Sequence, residues 1–237
     1  MITVVIEKEN IFSGEIIVSD KKDINHLKNS FRVKENDKIR AVDGEKEYIC
    51  QVKLVEKKEI KLEILSEKEL IKDDVEVVAG ISIIKNDKME LIIQKLTEIG
   101  IDKILPIETK RTIVKLKEKK EKWDVISREA IKQCQRVNFL DIGEIIKLEK
   151  IFYEDYDLVI VPYENEENYS LKKLLKEGPK EIKKILYIIG PEGGFSKEEI
   201  DILKKLENSK IVTLGKNILR AETAAIVVGG ILINEFK

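Results

Sequence analysis

The sequence has few of the residues that most often bind metals or form disulfide bonds. Its 237 residues include one histidine, His26, and two cysteines, Cys50 and Cys134, which are far apart. Zinc sites are built mainly from imidazole and thiolate ligands, so no metal site is expected. Two separated cysteines are also too few for a disulfide framework and indicate a reducing compartment.

Long hydrophobic segments are missing too. The longest apolar run, residues 224–233, spans ten residues, whereas a transmembrane helix needs about 20. The segment MITVVIEKEN has neither the basic region nor the long apolar region of a secretion signal. We therefore expect a cytoplasmic protein without a membrane-spanning segment.

Net charge is almost absent, although 38% of the residues are charged. The 44 Lys and Arg residues oppose 45 Asp and Glu residues, which excludes binding of nucleic acid through overall positive charge. The charge is nevertheless uneven, because residues 110–122 carry a net charge of +5 and residues 154–167 carry −6. Only six of the cations are Arg, and each of these planar groups is a candidate for recognising an anion or a carbonyl oxygen.

The hydrophobic pattern divides the chain into two regions. Short apolar segments separated by turn residues occupy residues 1–65 and predict a small all-β domain. After a polar stretch, strand-like and helix-like segments alternate and predict an α/β domain with a parallel sheet, whose ligands bind at the carboxyl ends of the strands. We place the two domains at residues 1–70 and 75–237.

Two glycine-containing turns follow predicted strands in the second region. The first is GPEGGFSKEEI (190–200), in which Ser196 and Glu199 have the spacing of a capping box. The second is LGKNILRAETA (214–224), which places Arg220 and Glu222 at the start of an apolar helix. Glycine lets the main chain approach a ligand closely. Two such turns at neighbouring strand ends therefore predict one ligand-binding cleft.

The two glycine segments resemble the paired signature of the RsmE family, the 16S ribosomal RNA uridine-N3 methyltransferases of the SPOUT superfamily. The similarity extends to residues 26–33, 85–106 and 123–136, and so covers nearly the whole chain in the family's order. The resemblance implies an α/β fold with two domains. An N-terminal PUA-like β-barrel that binds RNA precedes a SPOUT methyltransferase domain with a C-terminal trefoil knot, and the family is usually a homodimer.

The resemblance implies that S-adenosylmethionine is the cofactor and binds in the knot, mainly through main-chain groups. The residues implied to contact it are Val161, Pro162, Gly190, Pro191, Glu192, Gly193, Gly194, Leu214, Gly215, Asn217, Ile218 and Leu219. Asn217 departs from the family, which usually has Arg there, and this loop therefore has one cation fewer. Asn36 and Leu140 replace a usual Gly and a usual Pro, and we expect them to change only turns.

The implied reaction requires two chemical groups. Uracil N3 carries a proton at neutral pH, so methylation needs the loss of this proton and stabilisation of the resulting negative charge. Arg220 is the first candidate for the cationic group and Arg136 the second, because a guanidinium stays charged and can bind a carbonyl oxygen through two N–H groups. Glu222 or Glu192 is a candidate to accept the proton or to balance the positive sulfonium of the cofactor, and the alternative is that both carboxylates are structural.

Candidate RNA contacts come from several segments. Lys85 and Lys88 flank a predicted helix start, where cations are unfavourable for the helix, and a solvated surface is the alternative. Arg111 lies in the basic segment 110–122. Arg32 and Gln133 are candidates on the resemblance, Gln133 for contact with the target base.

We therefore predict an enzyme that uses S-adenosylmethionine to methylate N3 of a uridine in small-subunit ribosomal RNA, either free or in the assembled 30S subunit. One alternative is another SPOUT enzyme that methylates a ribose 2′-hydroxyl or a transfer RNA. A second is a non-catalytic RNA-binding factor for ribosome assembly. A nucleotide-phosphate enzyme fits poorly, since no Gly-Lys-Ser/Thr follows either glycine turn.

Overall fold

The computed structural model describes residues 1–178 and 181–237, and its internal contacts divide the chain into two units. Residues 1–72 and 128–139 form the first unit, and residues 73–127 and 140–237 form the second. The helix Glu121–Cys134 therefore contributes its second half to the first unit. The domain limits 1–70 and 75–237, which would place this whole helix in the second domain, remain a prediction.

The first unit is built on a six-stranded sheet. In chain order its elements are β1 (Thr3–Val5), β2 (Ile11–Phe12), β3 (Glu15–Val18), α1 (Lys21–Asn25), β4 (Lys38–Val42), β5 (Lys46–Val55) and β6 (Ile60–Glu69), with a π-helical turn, His26–Ser30, after α1. The strands lie in the order β1-β4-β5-β6-β3-β2, and only the β1–β4 pair is parallel. Alternate side chains of these strands form a separate hydrophobic core, which confirms the predicted β domain.

The β4–β5 hairpin turns at Asp43 and Gly44, as the Asp-Gly pair predicts. Asp43 Oδ1 accepts hydrogen bonds from the main-chain N–H groups of Glu45 (2.9 Å) and Lys46 (2.7 Å), and Tyr48 Oη donates to Asp43 Oδ2 at 2.9 Å. Burial opposes ionisation of the Asp43 carboxyl, but these hydrogen bonds outweigh it and hold its pKa below the usual value. Folding therefore stabilises the charge of this carboxylate.

The second unit contains a parallel sheet with helices on both faces. Its elements are β7 (Glu76–Ser82), α2 (Asn86–Ile99), β8 (Lys103–Glu108), the first half of α3 (Glu121–Cys134), β9 (Asp141–Ile142), β10 (Ile146–Lys147), β11 (Leu158–Pro162), α4 (Leu171–Glu177), β12 (Lys184–Ile189), α5 (Lys197–Lys204), β13 (Ser209–Val212) and α6 (Ala221–Phe236). The strand order is β10-β8-β7-β12-β11-β13, β9 also pairs with β8, and every pair is parallel. The predicted α/β class is confirmed.

Both faces of this sheet are buried, which explains its continuous apolar strands. On β12, the side chains of Ile185, Tyr187 and Ile189 pack in the core that includes α2 and α6. Leu186 and Ile188 point the other way, into the core that includes α5. The order of the strands brings the carboxyl ends of β12, β11 and β13 together at one edge.

Ion pairs and hydrogen bonds attach the second half of α3 and the next residue, Gln135, to the rest of the first unit. Arg40 on β4 is 4% exposed, and it donates from Nε to Glu47 Oε1 (2.5 Å) and from Nη2 to the carbonyl oxygen of Gln135 (2.8 Å). Two further ion pairs join Lys132 to Asp23 and Arg128 to Glu7. These cations are part of the folded framework of the first unit.

None of the described helices combines the length and the apolar character that crossing a membrane requires. Within residues 1–178 and 181–237, no group of three or more His, Cys, Asp or Glu side chains is arranged to hold a metal ion. Both cysteines are free thiols, and burial raises the pKa of Cys50 to about 12, so this thiol is protonated at neutral pH.

Candidate active site

A cavity of about 760 Å³ lies at the carboxyl ends of β11, β12 and β13 in the second unit. The turn 190–194 follows β12, and the loop 213–220 follows β13, so the two glycine segments meet on the same side of the sheet. The lining residues are 162–164, 189–195 and 213–221, with Lys88 and Ala224. The single cleft expected from the two glycine turns is therefore present.

The cavity brings together eleven of the twelve residues proposed to bind the cofactor. The exception is Val161, whose side chain is fully buried in the hydrophobic core on β11. Side chains alternate across a strand, so Val161 packs inward. The next residue, Pro162, lies at the strand end and lines the cavity.

The first turn depends on glycine at position 194. Gly194 has a φ of +66° and donates its N–H to the carbonyl oxygen of Pro191 at 2.9 Å. An added Cβ would lie 2.6 Å from Glu164 Oε1, so the Glu164 side chain would have to move. Two hydrogen bonds complete the predicted capping box, from Ser196 N to Glu199 Oε2 (2.7 Å) and from Glu199 N to Ser196 Oγ (3.2 Å). The turn therefore lines the cavity mainly with main chain.

The start of the basic segment is attached to this turn. Arg111 Nη1 donates to the carbonyl oxygen of Gly193 at 2.9 Å, and the main-chain N–H of Lys110 donates to Glu199 Oε1 at 2.7 Å. Glu199 is only 4% exposed, so its carboxylate joins the capping box to the chain that follows β8. Arg111, predicted as an RNA contact, thus also holds the first glycine turn.

The second loop needs glycine at position 215, where φ is +128°. The main-chain N–H of Gly215 donates to Thr213 Oγ1 at 3.2 Å. Asn217 and Ile218 are exposed at the tip, and Ile218 is 81% exposed. Leu219 is half-buried and returns the chain to the start of α6.

Arg220 lies at the N-cap of α6 and lines the cavity. In the part of the chain that the structure describes, its guanidinium makes no hydrogen bond or ion pair, a property it shares only with Arg32 among the six arginines. A permanently charged group with unused N–H donors at a cavity is suited to bind an oxygen that carries negative charge.

Lys88, Glu192 and Glu222 form a charged cluster at the cavity. Lys88 Nζ lies 3.5 Å from Glu192 Oε1 and 3.8 Å from Glu222 Oε2. The side chain of Glu222 is 12% exposed, and its Oε2 accepts no hydrogen bond from any described residue. Lys85, at the N-cap of α2, is exposed. The two lysines predicted to bind RNA therefore have different surroundings.

The remaining predicted residues belong to the first unit. Arg32 follows the π-helical turn, is exposed, and has a φ of +53°. Gln133 is exposed on the second half of α3. Arg136 Nε donates to the carbonyl oxygen of Asn138 at 2.7 Å and to its Oδ1 at 3.0 Å.

The cavity fits S-adenosylmethionine, the cofactor that the resemblance implies. Its volume lies within the range of about 300–1,000 Å³ that is usual for small-molecule sites. Glycines supply main chain without side chains, while apolar residues such as Ile189, Leu214 and Leu219 line the space beside them. Tyr163, Glu164 and Thr213 also line it without having been predicted, although their positions just after β11 and β13 are a usable signal.

Comparison with protein families agrees with this architecture. Residues 18–65 match the family model of the RNA methyltransferase PUA domain, and residues 72–233 match that of the RNA methyltransferase domain. The second match alone covers more than half of the chain.

Individual relatives align over nearly the whole chain. The ribosomal RNA small subunit methyltransferase E of Aquifex aeolicus is 29% identical over 226 residues (93% of this chain, 95% of the relative), and that of Rickettsia conorii is 28% identical over 221 residues (90% and 87%). The crystal structure of the Neisseria gonorrhoeae methyltransferase E bound to S-adenosylmethionine has a TM-score of 0.84 at 26% identity (99% and 97% covered). A Legionella pneumophila methyltransferase with the same bound cofactor has a TM-score of 0.83, also at 26% identity (98% and 96%).

The matches preserve the order of the two domains and extend over both, which confirms the resemblance stated from the sequence. The chain belongs to the RsmE family of ribosomal RNA small subunit methyltransferases.

Proposed function

We propose that this protein transfers the methyl group of S-adenosylmethionine to N3 of a uridine in small-subunit (16S) ribosomal RNA. The observation that carries the proposal is the uncommitted guanidinium of Arg220 at the edge of the cavity formed by the two glycine turns. Membership of the RsmE family supports the substrate class, because the curated relatives are named for the small-subunit ribosomal RNA.

The cofactor is held by the two glycine segments. Residues 190–194 and 214–219 line the cavity, and its apolar side chains suit an uncharged adenine ring. When bound, S-adenosylmethionine supplies an electrophilic methyl group. The task of the protein is then to orient the acceptor and to manage the proton and charge of the uracil.

Arg220 stabilises the negative charge that develops on the uracil when N3 loses its proton, by donating hydrogen bonds to a carbonyl oxygen beside N3. Arg136 is the second candidate for this role. Glu222 and Glu192 are the carboxylates available at the cluster to accept the proton. The alternative for both is a structural role, because each lies within 4 Å of the Lys88 ammonium.

RNA binds through local basic groups, since the net charge of the chain is −1. The segment 110–122 carries +5 and begins at the first glycine turn, which places positive charge next to the cavity. Arg32, Lys85 and Gln133 are exposed and available to contact phosphate or bases. The acidic segment 154–167 repels RNA from its own surface.

The protein acts as a homodimer in the cytoplasm. Helix α6 exposes Val227 and Ile231, each 39% exposed, and the neighbouring α2 exposes Leu91 at 40%. Apolar side chains on two helices that pack together form a surface suited to a second copy of the chain. Sedimentation analysis tests this: we expect a dimer for the natural chain and a monomer for Ile231→Lys, and a monomeric natural chain contradicts the proposal.

One assay tests the function and separates the alternatives. The protein is incubated with labelled S-adenosylmethionine and either unmodified 30S subunits or free 16S RNA, and the nucleosides are identified by mass spectrometry. We expect 3-methyluridine, and the two substrates show which form of the RNA is used. A 2′-O-methyl product, or methylated transfer RNA in a parallel reaction, indicates another SPOUT activity. Cofactor binding without any transfer indicates a non-catalytic assembly factor.

A further inference from the structure

Lys88 has surroundings that differ from those of the other lysine at the start of α2. Its side chain is 25% exposed, lines the cavity, and lies between the carboxylates of Glu192 and Glu222. Lys85, one turn earlier, is exposed, and within the described residues it makes no ion pair. A lysine already placed between two carboxylates is poorly available to bind an RNA phosphate.

The three residues of the cluster come from three elements that enclose the cavity. Lys88 is in the first turn of α2, Glu192 is in the turn after β12, and Glu222 is in the first turn of α6. One ammonium therefore lies within 4 Å of two acidic groups from separate segments, Glu192 in the cavity lining and Glu222 next to the lining residue Ala221. Glu222 is the more dependent of the two, because its buried Oε2 has no hydrogen-bond donor among the described residues.

We infer that Lys88 is a positioning residue of the cofactor cavity, which fixes Glu192 and Glu222 and balances their charge. This inference rests on the proposed use of the cavity for S-adenosylmethionine. Removing the ammonium leaves two carboxylates without their cation and makes the net charge of the cluster more negative by one. The electrostatic potential in the cavity then becomes more negative. Fixing the carboxylates keeps the wall of the cavity in one arrangement.

The charge balance has a measurable consequence for ligand preference. S-adenosylmethionine carries one positive charge more than its demethylated product, S-adenosylhomocysteine, and the two are otherwise alike. A more negative cavity therefore favours the methyl donor over the product. A purely structural role of Lys88 would change the affinity for both ligands equally, and an RNA-binding role would change neither.

The test compares calorimetric affinities of both ligands for the natural chain, Lys88→Met, Lys88→Arg and Lys88→Met/Glu222→Gln. Lys95→Met is the matched control, because Lys95 forms an ion pair with Glu98 on the same helix and does not line the cavity. We expect Lys88→Met to shift the affinity ratio towards S-adenosylmethionine by about three- to tenfold. Lys88→Arg keeps the charge, so we expect it to have the affinity ratio of the natural chain. Adding Glu222→Gln to Lys88→Met brings the ratio part of the way back to that value. Lys95→Met has the ratio of the natural chain.

Two further measurements test the inference independently of the calorimetric ligand affinities. RNA affinity is compared for Lys88→Met and Lys85→Met, and an unchanged ligand ratio with an equal loss of RNA affinity in both variants overturns the inference.

Thermal unfolding of Lys88→Met, Glu222→Gln and the double variant forms a mutant cycle. We expect the double variant to lose less stability than the two single variants together, and strict additivity also overturns the inference. If the natural chain binds neither ligand while the cycle shows coupling, the proposed function fails and the assignment of Lys88 as the residue that fixes Glu222 stands.

Discussion

The framework of the first unit and the cavity of the second unit place arginines in different surroundings. In the first unit, Arg40 is buried and bound to a carboxylate and a main-chain carbonyl oxygen, and Arg128 is paired with Glu7. In the second unit, Arg220 faces the cavity without a hydrogen bond or ion pair to any described residue. The residue type is the same, so the surroundings decide its role. A guanidinium bound to other groups of the fold stabilises the fold, and one without such partners at a cavity is free to bind a ligand.

The largest effect is expected at Arg220. Arg220→Lys keeps the positive charge but loses the planar pair of donors, and Arg220→Met loses both. Removing a group that stabilises a developing negative charge costs about 10²–10³ in rate, so we expect a loss of this size for Met and a smaller loss for Lys. Single-turnover methyl transfer measures it, with cofactor affinity and thermal unfolding as controls. Full activity of Arg220→Met removes the proposed contrast between Arg40 in the framework and Arg220 at the cavity.

The next effect concerns stability. Arg40→Met removes the partner of Glu47 and of the Gln135 carbonyl oxygen inside the first unit. We expect the free energy of unfolding to fall by about 2–3 kcal/mol, because Arg40 is buried while Glu47 is partly solvated. Methyl transfer per folded molecule stays within about twofold, since a stabilising residue acts through the folded population.

Arg128→Met is the matched control for Arg40→Met. Its ion pair is exposed, so denaturant unfolding should show a change of less than about 1 kcal/mol. Equal losses of stability in the two variants would show that burial does not set the strength of these contacts. A loss of activity in Arg40→Met without a loss of stability would show that Arg40 does not act by stabilising the fold.

Gly194→Ala tests whether the cavity of the second unit depends on the first glycine turn. The new Cβ would lie 2.6 Å from Glu164 Oε1, so the Glu164 side chain, which also lines the cavity, must move, and alanine at a positive φ strains the first turn. We expect cofactor affinity to fall about tenfold, which corresponds to about 1.4 kcal/mol. Gly100→Ala is the control, because Gly100 also has a positive φ but an added Cβ meets open space. It should lower stability and leave cofactor affinity unchanged.

The smallest effect is a pH dependence in the first unit. Folding lowers the pKa of Asp43, so its stabilisation is present above the unfolded pKa of about 3.9 and is lost as pH falls through the folded pKa. We expect Asp43→Asn to be less stable than the natural chain at pH 7 and the difference to shrink below about pH 4. Unfolding measured from pH 7 to pH 2.5 checks this, and a constant difference means that Asp43 is not ionised in its hydrogen bonds.

Much of the architecture could be predicted because it depends on local signals. The alternation of apolar residues predicted a β domain before an α/β domain, the pair Asp43-Gly44 predicted the hairpin, and Ser196 with Glu199 predicted the start of α5. Each of these interactions is formed within a few residues of sequence. The two glycine turns were also predicted from local sequence. The identity of the cofactor came from the family resemblance.

The sequence by itself thus determined the two fold classes and the positions of both glycine turns. Only the tertiary structure decided that β12 lies between β7 and β11, that Val161 packs in the core, and that Lys88 reaches both Glu192 and Glu222. Strand order and ion pairing depend on contacts between segments far apart in the chain. Residue spacing cannot predict such contacts, because they form only when the packed sheet brings distant segments together.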